Sequence, residues 1–416
     1  MEMIDMELFL LGLRNIFRNK RRTILNIAAL IIAVFLMLTG LGWVQGYSTY
    51  LYQALINFET GNIQVLPEHY YDNMARFPLD LTIKSYKKTK NRIETHPGVD
   101  AVTGRIITSL EVIAGSKSVR MTARGIDPEA EKNVTILSDY IASGKYIGRS
   151  GGLLIGKPMA ERIGLSVGDT VLLKAVDQEG VQNILDVKLQ GIFDFGYPAL
   201  DENVVFTDLG IMQSLLAMEN EVTKLVITVN PGYDSRNVIP GIKEILKNAD
   251  DQYDVRIWRD FAQTTVSAVK GDSNTFWMML IILYVLIVVG IINSMSMSIQ
   301  ERTGEIATMR AIGMKRRGVL GLFISEGISI AILASAGALV LSIPVIFFLG
   351  SVGIDIAQYM PEDLPIPFGK RFYADFRVWQ FLVSVGTALV TALAGSLLPS
   401  LRAMRTNTAQ ALAGKK

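Results

Sequence analysis

The sequence predicts a helical membrane protein with four transmembrane helices, arranged one plus three, and a large α+β extracytoplasmic domain. Three observations carry this. Four long runs, Thr23–Val44, Ser273–Gln300, Gly327–Ile354 and Val378–Leu401, contain no Asp, Glu, Lys, Arg or His. A long polar stretch, 45–272, separates the first run from the other three. Clusters of Lys and Arg flank the runs at alternate ends.

At about 1.5 Å per helical residue, even the shortest run covers a hydrocarbon core about 30 Å thick. Backbone polar groups in lipid must be satisfied within the segment, so runs of this length form helices; a transmembrane barrel has alternating segments of about ten residues instead. Orientation follows from the basic clusters. Arg14, Arg18, Lys20, Arg21 and Arg22 precede the first run, Arg302, Arg310, Lys315, Arg316 and Arg317 lie between the second and third, and Arg402, Arg405, Lys415 and Lys416 follow the fourth. The positive-inside rule places all three in the cytoplasm and both termini inside.

The expected order is therefore a cytoplasmic or interfacial segment 1–22, a first span 23–44, an outer domain 45–272, a second span 273–300, a cytoplasmic segment 301–317, a third span 318–354, an outer loop 355–377, a fourth span 378–401 and a cytoplasmic tail 402–416. The first of these carries Phe9, Leu10, Leu13, Ile16 and Phe17 at helical spacing opposite Arg14, Arg18 and Arg21. That spacing predicts either an amphipathic helix in the membrane interface or a plain extension of the first span. The first run is too long for a signal-peptide core and is followed by no small-residue cleavage pattern, so it reads as a retained anchor.

The outer segment holds more acidic than basic side chains, so the overall charge of +2 conceals a basic inner face and a mildly acidic outer domain. The basic clusters hug the spans, where topology explains them, and predict no nucleic-acid partner. The absence of cysteine excludes disulfides, thiolate metal sites and cysteine nucleophiles.

Within the outer segment the two ends look alike. Residues 61–66 read as a strand, 84–95 as a helix stopped by Pro97-Gly98, and 99–113 as a strand. Residues 224–229, 237–248 and 253–258 repeat the strand, helix, strand order. Two such units flanking an insertion predict a split α+β domain. The insertion, at about 119–208, reads as a mostly β lobe with strands at 169–176 and 184–193 and a short helix at 157–164.

Candidate chemistry is sparse. Gly151 to Lys157 has the glycine and lysine spacing of a P-loop, but Pro158 stands where magnesium needs a Ser or Thr ligand. The two histidines, His69 and His96, have no metal-ligand spacing. No catalytic, cofactor or metal site is expected on this chain.

The spans are more informative. Gly290, Ser294 and Ser298 recur every fourth residue in the second, Gly327, Ala331 and Ser335 in the third, and Ser384, Ala388, Ala392 and Ser396 in the fourth. Small residues at this spacing let membrane helices approach closely, so these faces are expected to pack on protein, in this chain or in a second copy. The first span has bulkier Phe35, Leu36, Met37 and Trp43, facing lipid or an apolar ligand. The short segment between the second and third spans is charged and helical up to Gly313, with Ile306, Met309, Ala311 and Ile312 beside the charges, as a docking surface needs.

That segment, E-R-x-x-E-I-x-x-x-R-A-I-G from Glu301 to Gly313 with Phe323 and Glu326 beyond it, resembles the signature of the MacB/FtsX-type ABC transporter permeases. The likeness extends to the run Leu13–Thr23, to Pro399-Ser400-Leu401-Arg402-Ala403, to Arg124–Pro128 and to Gly164–Asp169. Gly191–Gly196, followed by Asp201, is most similar to the LolC and LolE permeases that release lipoproteins from the bacterial inner membrane. One departure is the tail, Thr406–Leu412, which lacks the Asp-Pro common there in relatives.

The resemblance implies an outer domain divided into porter and sabre lobes, and a chain without ATPase activity that works by mechanotransmission. It implies a separate dimer of ABC ATPase chains carrying ATP and magnesium, and a second permease subunit, the same chain or a homologue. Glu301, Arg302, Glu305 and Arg310 would be charge contacts to the ATPase, and Ile306 and Ile312 packing contacts, with Gly313 ending the helix. Glu326 would be an intramembrane carboxylate, with Arg317 as the expected partner. The implied cargo is a lipoprotein, taken from the outer leaflet and passed to a periplasmic carrier. A MacB-like export permease with an adaptor and outer-membrane channel, and a passive membrane-anchored sensor or adhesion protein, remain the alternatives.

Overall fold

A computed structural model describes residues 20–148, 151–247, 252–355 and 371–404. The segments read as an interfacial helix (up to residue 19), the greater part of the outer loop 355–377 and the tail from 405 lie outside these residues. The described chain divides into two compact units, one holding the long apolar helices and the other spanning Leu51–Val266.

Among the described residues, four helices are long and apolar enough to cross a membrane. They are α1 (Lys20–Leu55), α6 (Gln263–Glu301), α8 (Arg316–Ser351) and α9 (Val378–Met404). α1 continues well past Val44, and α6 starts well before Ser273. At 36 and 39 residues these helices run roughly 54–58 Å, well beyond the hydrocarbon core. Hydropathy marks where lipid ends, and the helix outlasts it because the polar continuation contains no proline to stop it.

Small residues set the closest helix contacts. A Cβ on Gly327 of α8 would lie 2.7 Å from Ser396 Oγ and 3.2 Å from the Ala392 carbonyl of α9. Ala331, Ala334, Ala338, Ala388 and Ala392 form one buried cluster with Leu30, Val34 and Ile330. Ser335, Ser384 and Ser396 are buried as well. On α1, a Cβ at Gly46 would meet the Tyr373 carbonyl at 2.4 Å, and the Asp375 N–H donates to the Gly42 carbonyl at 3.1 Å. The segment after Arg371 therefore lies against a glycine face of the first helix. Trp43 rests on Phe372 with ring centroids 4.3 Å apart, and Met37 is buried while Leu36 is exposed.

The second unit contains a ten-stranded sheet in the order β10-β1-β9-β2-β3-β8-β5-β7-β4, with β6 joined to β2 and β7. Its strands are β1 (Ile63–Pro67), β2 (Val99–Ala114), β3 (Lys117–Ile126), β4 (Ile141–Gly144), β5 (Leu153–Gly156), β6 (Thr170–Val176), β7 (Gln182–Phe193), β8 (Val204–Asp208), β9 (Lys224–Val229) and β10 (Tyr253–Ile257). β1, helix α2 (Tyr86–Ile93) and β2 form one unit; β9, helix α5 (Ser235–Lys247) and β10 form the other. Each unit's strands sandwich a strand of the other, which is the split β-α-β arrangement. Val238, Ile242 and Leu246 of α5 and Tyr86 and Ile93 of α2 bury the helix faces against this half.

The inserted lobe is joined to the first half by a shared strand. β2 is 16 residues long; its start pairs with β9, and Glu111–Ile113 near its end pair with β6. The lobe also holds helices α3 (Lys157–Ile163) and α4 (Leu209–Leu216), the latter capped by Asp208. The segment with P-loop spacing forms buried strand β5 and the start of α3, and a Cβ on Gly156 would sit 1.9 Å from the Asp201 carbonyl. Its glycine serves close backbone approach, and Lys157 Nζ lies 3.7 Å from Asp194.

Candidate coupling site

α6 ends at Glu301, and the chain turns through Arg302 into a short helix, α7 (Thr303–Ala311), before α8 begins at Arg316. Gly313 has φ of +109°, a conformation that favours glycine and ends α7 sharply. The Met314 N–H donates to the Met309 carbonyl at 3.0 Å, closing the turn. A glycine stop followed by basic residues thus produces the reversal that the pattern predicts.

The inner side of α7 is sealed onto its own spans. Ile306 is 2% exposed, in a cluster with Ile299, Val319 and Phe323 that Met309 and Met314 flank. The expectation that Ile306 contacts a partner is therefore corrected: it is spent on anchoring α7 to α6 and α8. Ile312, by contrast, is 81% exposed, and Thr308, Ala311, Lys315, Arg316 and Arg317 are exposed with it.

Arg302 also turns inward. Its Nη1 lies 3.6 Å from Glu326 Oε2 and its Nε donates to Glu305 Oε2 at 3.4 Å, with the guanidinium 6.0 Å from the Phe323 ring centre. The side chains of Arg302 and Glu326 are only 10% and 7% exposed. Arg317, the expected partner of Glu326, is exposed instead, because it starts α8 on the outer side of the turn. Arg302 reaches the carboxylate across the α6–α8 gap. At 3.6 Å the pair is an ion contact rather than a hydrogen bond, and Glu326 Oε2 has no hydrogen-bond partner among the described residues. So Arg302 is an internal tie, not a surface charge.

The stripe on α6 divides. A Cβ on Gly290 would meet nothing within 4 Å, Ser294 accepts a hydrogen bond from Asn26 of α1 at 2.7 Å, and Ser298 is buried. A lone amide such as Asn26 inside an apolar run carries no periodic signal in the sequence.

Two family models match the chain. The MacB-like periplasmic core domain covers residues 23–245, more than half of the sequence, and the FtsX-like permease C-terminal model covers 277–408. The chain belongs to the MacB/FtsX-type family of ABC transporter permeases. Among the relatives of this permease, the lipoprotein-releasing system transmembrane protein LolC of Xylella fastidiosa is 23% identical over 74% of this chain and 76% of its own length. An uncharacterized ABC transporter permease of Methanocaldococcus jannaschii is 22% identical over 94% of this chain and 96% of its own. A macrolide export ATP-binding/permease protein MacB of Yersinia pestis is 20% identical over 81% of this chain and 50% of its own. The FtsX-like model includes α7 and the buried Arg302–Glu326 contact of the permease, and the MacB-like model includes most of its sheet.

Within the sheet unit, the segment that most resembles the lipoprotein-release branch has a clear structural use. Asp201 is buried and accepts hydrogen bonds from the N–H groups of Phe195, at 3.0 Å, and Tyr197, at 2.8 Å. It fixes the turn after β7, so that Phe193 and Phe195 enter an aromatic cluster with Phe58, Tyr140 and Phe206.

Proposed function

We propose that this permease is the membrane subunit of an ABC transporter in which α7 is the handle gripped by a separate ATPase. Nucleotide-driven closure of a dimer of ATPase chains, with their own ATP and magnesium, shifts α7 and with it α6 and α8. The movement is passed to the extracytoplasmic domains of two permease subunits. The observation that carries this reading is the two-sided character of α7: Ile306 anchors one side while Ile312 stands 81% exposed at its tip. An exposed isoleucine on a short segment that also carries Glu301, Glu305 and Arg310 has the mixture of apolar and charged groups found at protein interfaces.

The topology that goes with this reading has both termini and α7 on the cytoplasmic face of the inner membrane and the sheet unit outside it. The cargo we propose is a lipoprotein, drawn from the outer leaflet and handed to a periplasmic carrier. The support is the likeness to proteins named as lipoprotein-releasing and the Asp201 turn. Extracting acyl chains costs about 0.8 kcal/mol per CH2 moved from an apolar environment, so coupled ATP hydrolysis and a receiving apolar surface are both needed.

The likeness to MacB, over 81% of this chain, supports export with an adaptor as a second reading. Reconstitution separates the two: release of a fluorescent triacylated lipoprotein from vesicles on adding ATP and the co-purified ATPase supports the first, and ATP-dependent export without such release supports the second. The coupling itself is tested by E305K/R310E. We expect this variant to lose the co-purifying ATPase while the sheet unit keeps its thermal transition; undiminished co-purification overturns the assignment of α7.

A further inference from the structure

From Leu51 onward α1 belongs to the sheet unit. After Leu55 it passes into one wider turn, Ile56–Thr60, that stops at Gly61 with φ of +58°. The Gly61 N–H donates to the Ile56 carbonyl at 3.0 Å. A Cβ at Gly61 would lie 2.4 Å from Val226 Cγ1, so glycine is required both for this conformation and for seating the turn against β9.

Three cations from adjacent strands close on that turn. Arg105 of β2 donates to the Glu59 carbonyl at 2.6 Å, and Arg124 of β3 donates to the Glu59 carboxylate at 3.0 Å. Lys224 of β9, directly opposite Arg105 in register, donates to Gln64 Oε1 at 3.3 Å, and Gln64 in turn donates to the Thr60 carbonyl at 2.9 Å. Arg105 is held by a two-pronged contact to Glu131, at 2.6 and 3.2 Å, which Thr135 backs at 3.2 Å.

Stability alone is a weak reason for this arrangement. Buried ion pairs are often no more stabilising than apolar side chains of the same volume, and here three buried cations meet one buried carboxylate, Glu131, and one half-exposed carboxylate, Glu59. What the contacts share is their target: each leads, directly or through one side chain, to the backbone or carboxylate of Glu59 and Thr60. Charge-assisted hydrogen bonds to a backbone carbonyl fix direction as well as distance, as a connection that carries force requires.

We propose that the Glu59 turn is the mechanical joint of this permease, in which Arg105 and Arg124 lock the end of α1 to the central strands so that motion of the helix is handed to the sheet. Glu59, Arg105 and Arg124 are positioning residues. The origin of the motion rests on the coupling reading above, but the rigidity of the joint does not.

The test uses the full chain in detergent without ATPase. Because the sequence contains no cysteine, Q53C and S109C place two unique spin labels at exposed positions on α1 and β2. Pulsed electron resonance then reads their distance distribution. A single narrow distribution is expected in the parent. Removing both charges together with E59Q/R124M should broaden it at least twofold. D177N, which loosens a carboxylate that ties only the turn between β6 and β7, should leave the width unchanged. If the double variant does not fold, E59Q alone carries the same expectation, because its carboxylate is 46% exposed and tolerates neutralisation. An unchanged width, or equal broadening by D177N, overturns the joint. A failure to find an ATPase would sink the coupling reading and leave this measurement standing.

Discussion

Lys224 shows how placement in the sheet changes a single side chain. Burial, reinforced by the neighbouring Arg105 and Arg124 cations, pushes its ammonium down to about 7 against the pull of Glu59 and Glu131. An unfolded lysine holds its proton to about pH 10.4, so between pH 7 and that value the unfolded chain binds more protons and stability rises with pH. The burial cost is fully present below pH 7 and is relieved above it. Thermal unfolding of the full chain in detergent should therefore show a gain of about 2 kcal/mol from pH 7 to 9. K224M should flatten that slope; a slope unaltered by K224M contradicts the assignment. Tyr146, which burial pushes above the usual phenol range, titrates beyond this window.

At the same scale, Arg302 and Glu326 are worth more as a pair than singly. R302Q leaves a carboxylate buried without its charge partner, a loss of about 3 kcal/mol, toward the low end for such pairs because the contact is long. R302Q/E326Q removes both charges and should recover most of that loss in the temperature of thermal inactivation. Equal losses in the single and double variants would show that the two residues act independently.

At the scale of elements, the small-residue stripes explain which helices meet. Gly327 and Ala392 permit a close backbone crossing between α8 and α9, so G327L should cost several kcal/mol by overpacking, whereas G290L faces open space and should change stability by less than about 0.5 kcal/mol. Thermal scans of the two variants check this contrast; a comparable loss at Gly290 would show that α6 packs on a second copy. The spacing of residues 290, 294 and 298 predicted one continuous face, but the single chain uses only its inner part.

Much of the sheet unit was legible because strand and helix periods are local. The strands at 99–114 and 224–229 and the helices at 86–93 and 235–247 fall close to the pattern. The helical extensions past Val44 and before Ser273 were not legible, since hydropathy reports lipid rather than helix. Nor was the shared strand β2, because nothing in a run of alternating residues says that its two ends pair with different neighbours. In the coupling site the sequence marked the helix and its glycine stop, yet burial of Ile306 and the Arg302–Glu326 contact depend on how α6 and α8 converge around it. The Glu59 joint left no trace at all, because its charges come from positions scattered along the chain from Glu59 to Lys224 and meet only when the strands pair.

At the scale of the whole molecule, the helix unit holds an α7 anchored on its own spans and helices longer than the hydrocarbon core, and the sheet unit holds one sheet that runs through both its lobes. The proposed function turns on the exposed tip of α7 meeting an ATP-hydrolysing partner on the cytoplasmic face. The cysteine-free background makes I312C a unique target for a photoreactive maleimide. On illumination in native membranes, a covalent adduct to an ABC ATPase chain is predicted. Absence of that adduct, or modification of I312C in intact spheroplasts by a maleimide that does not cross membranes, would contradict it.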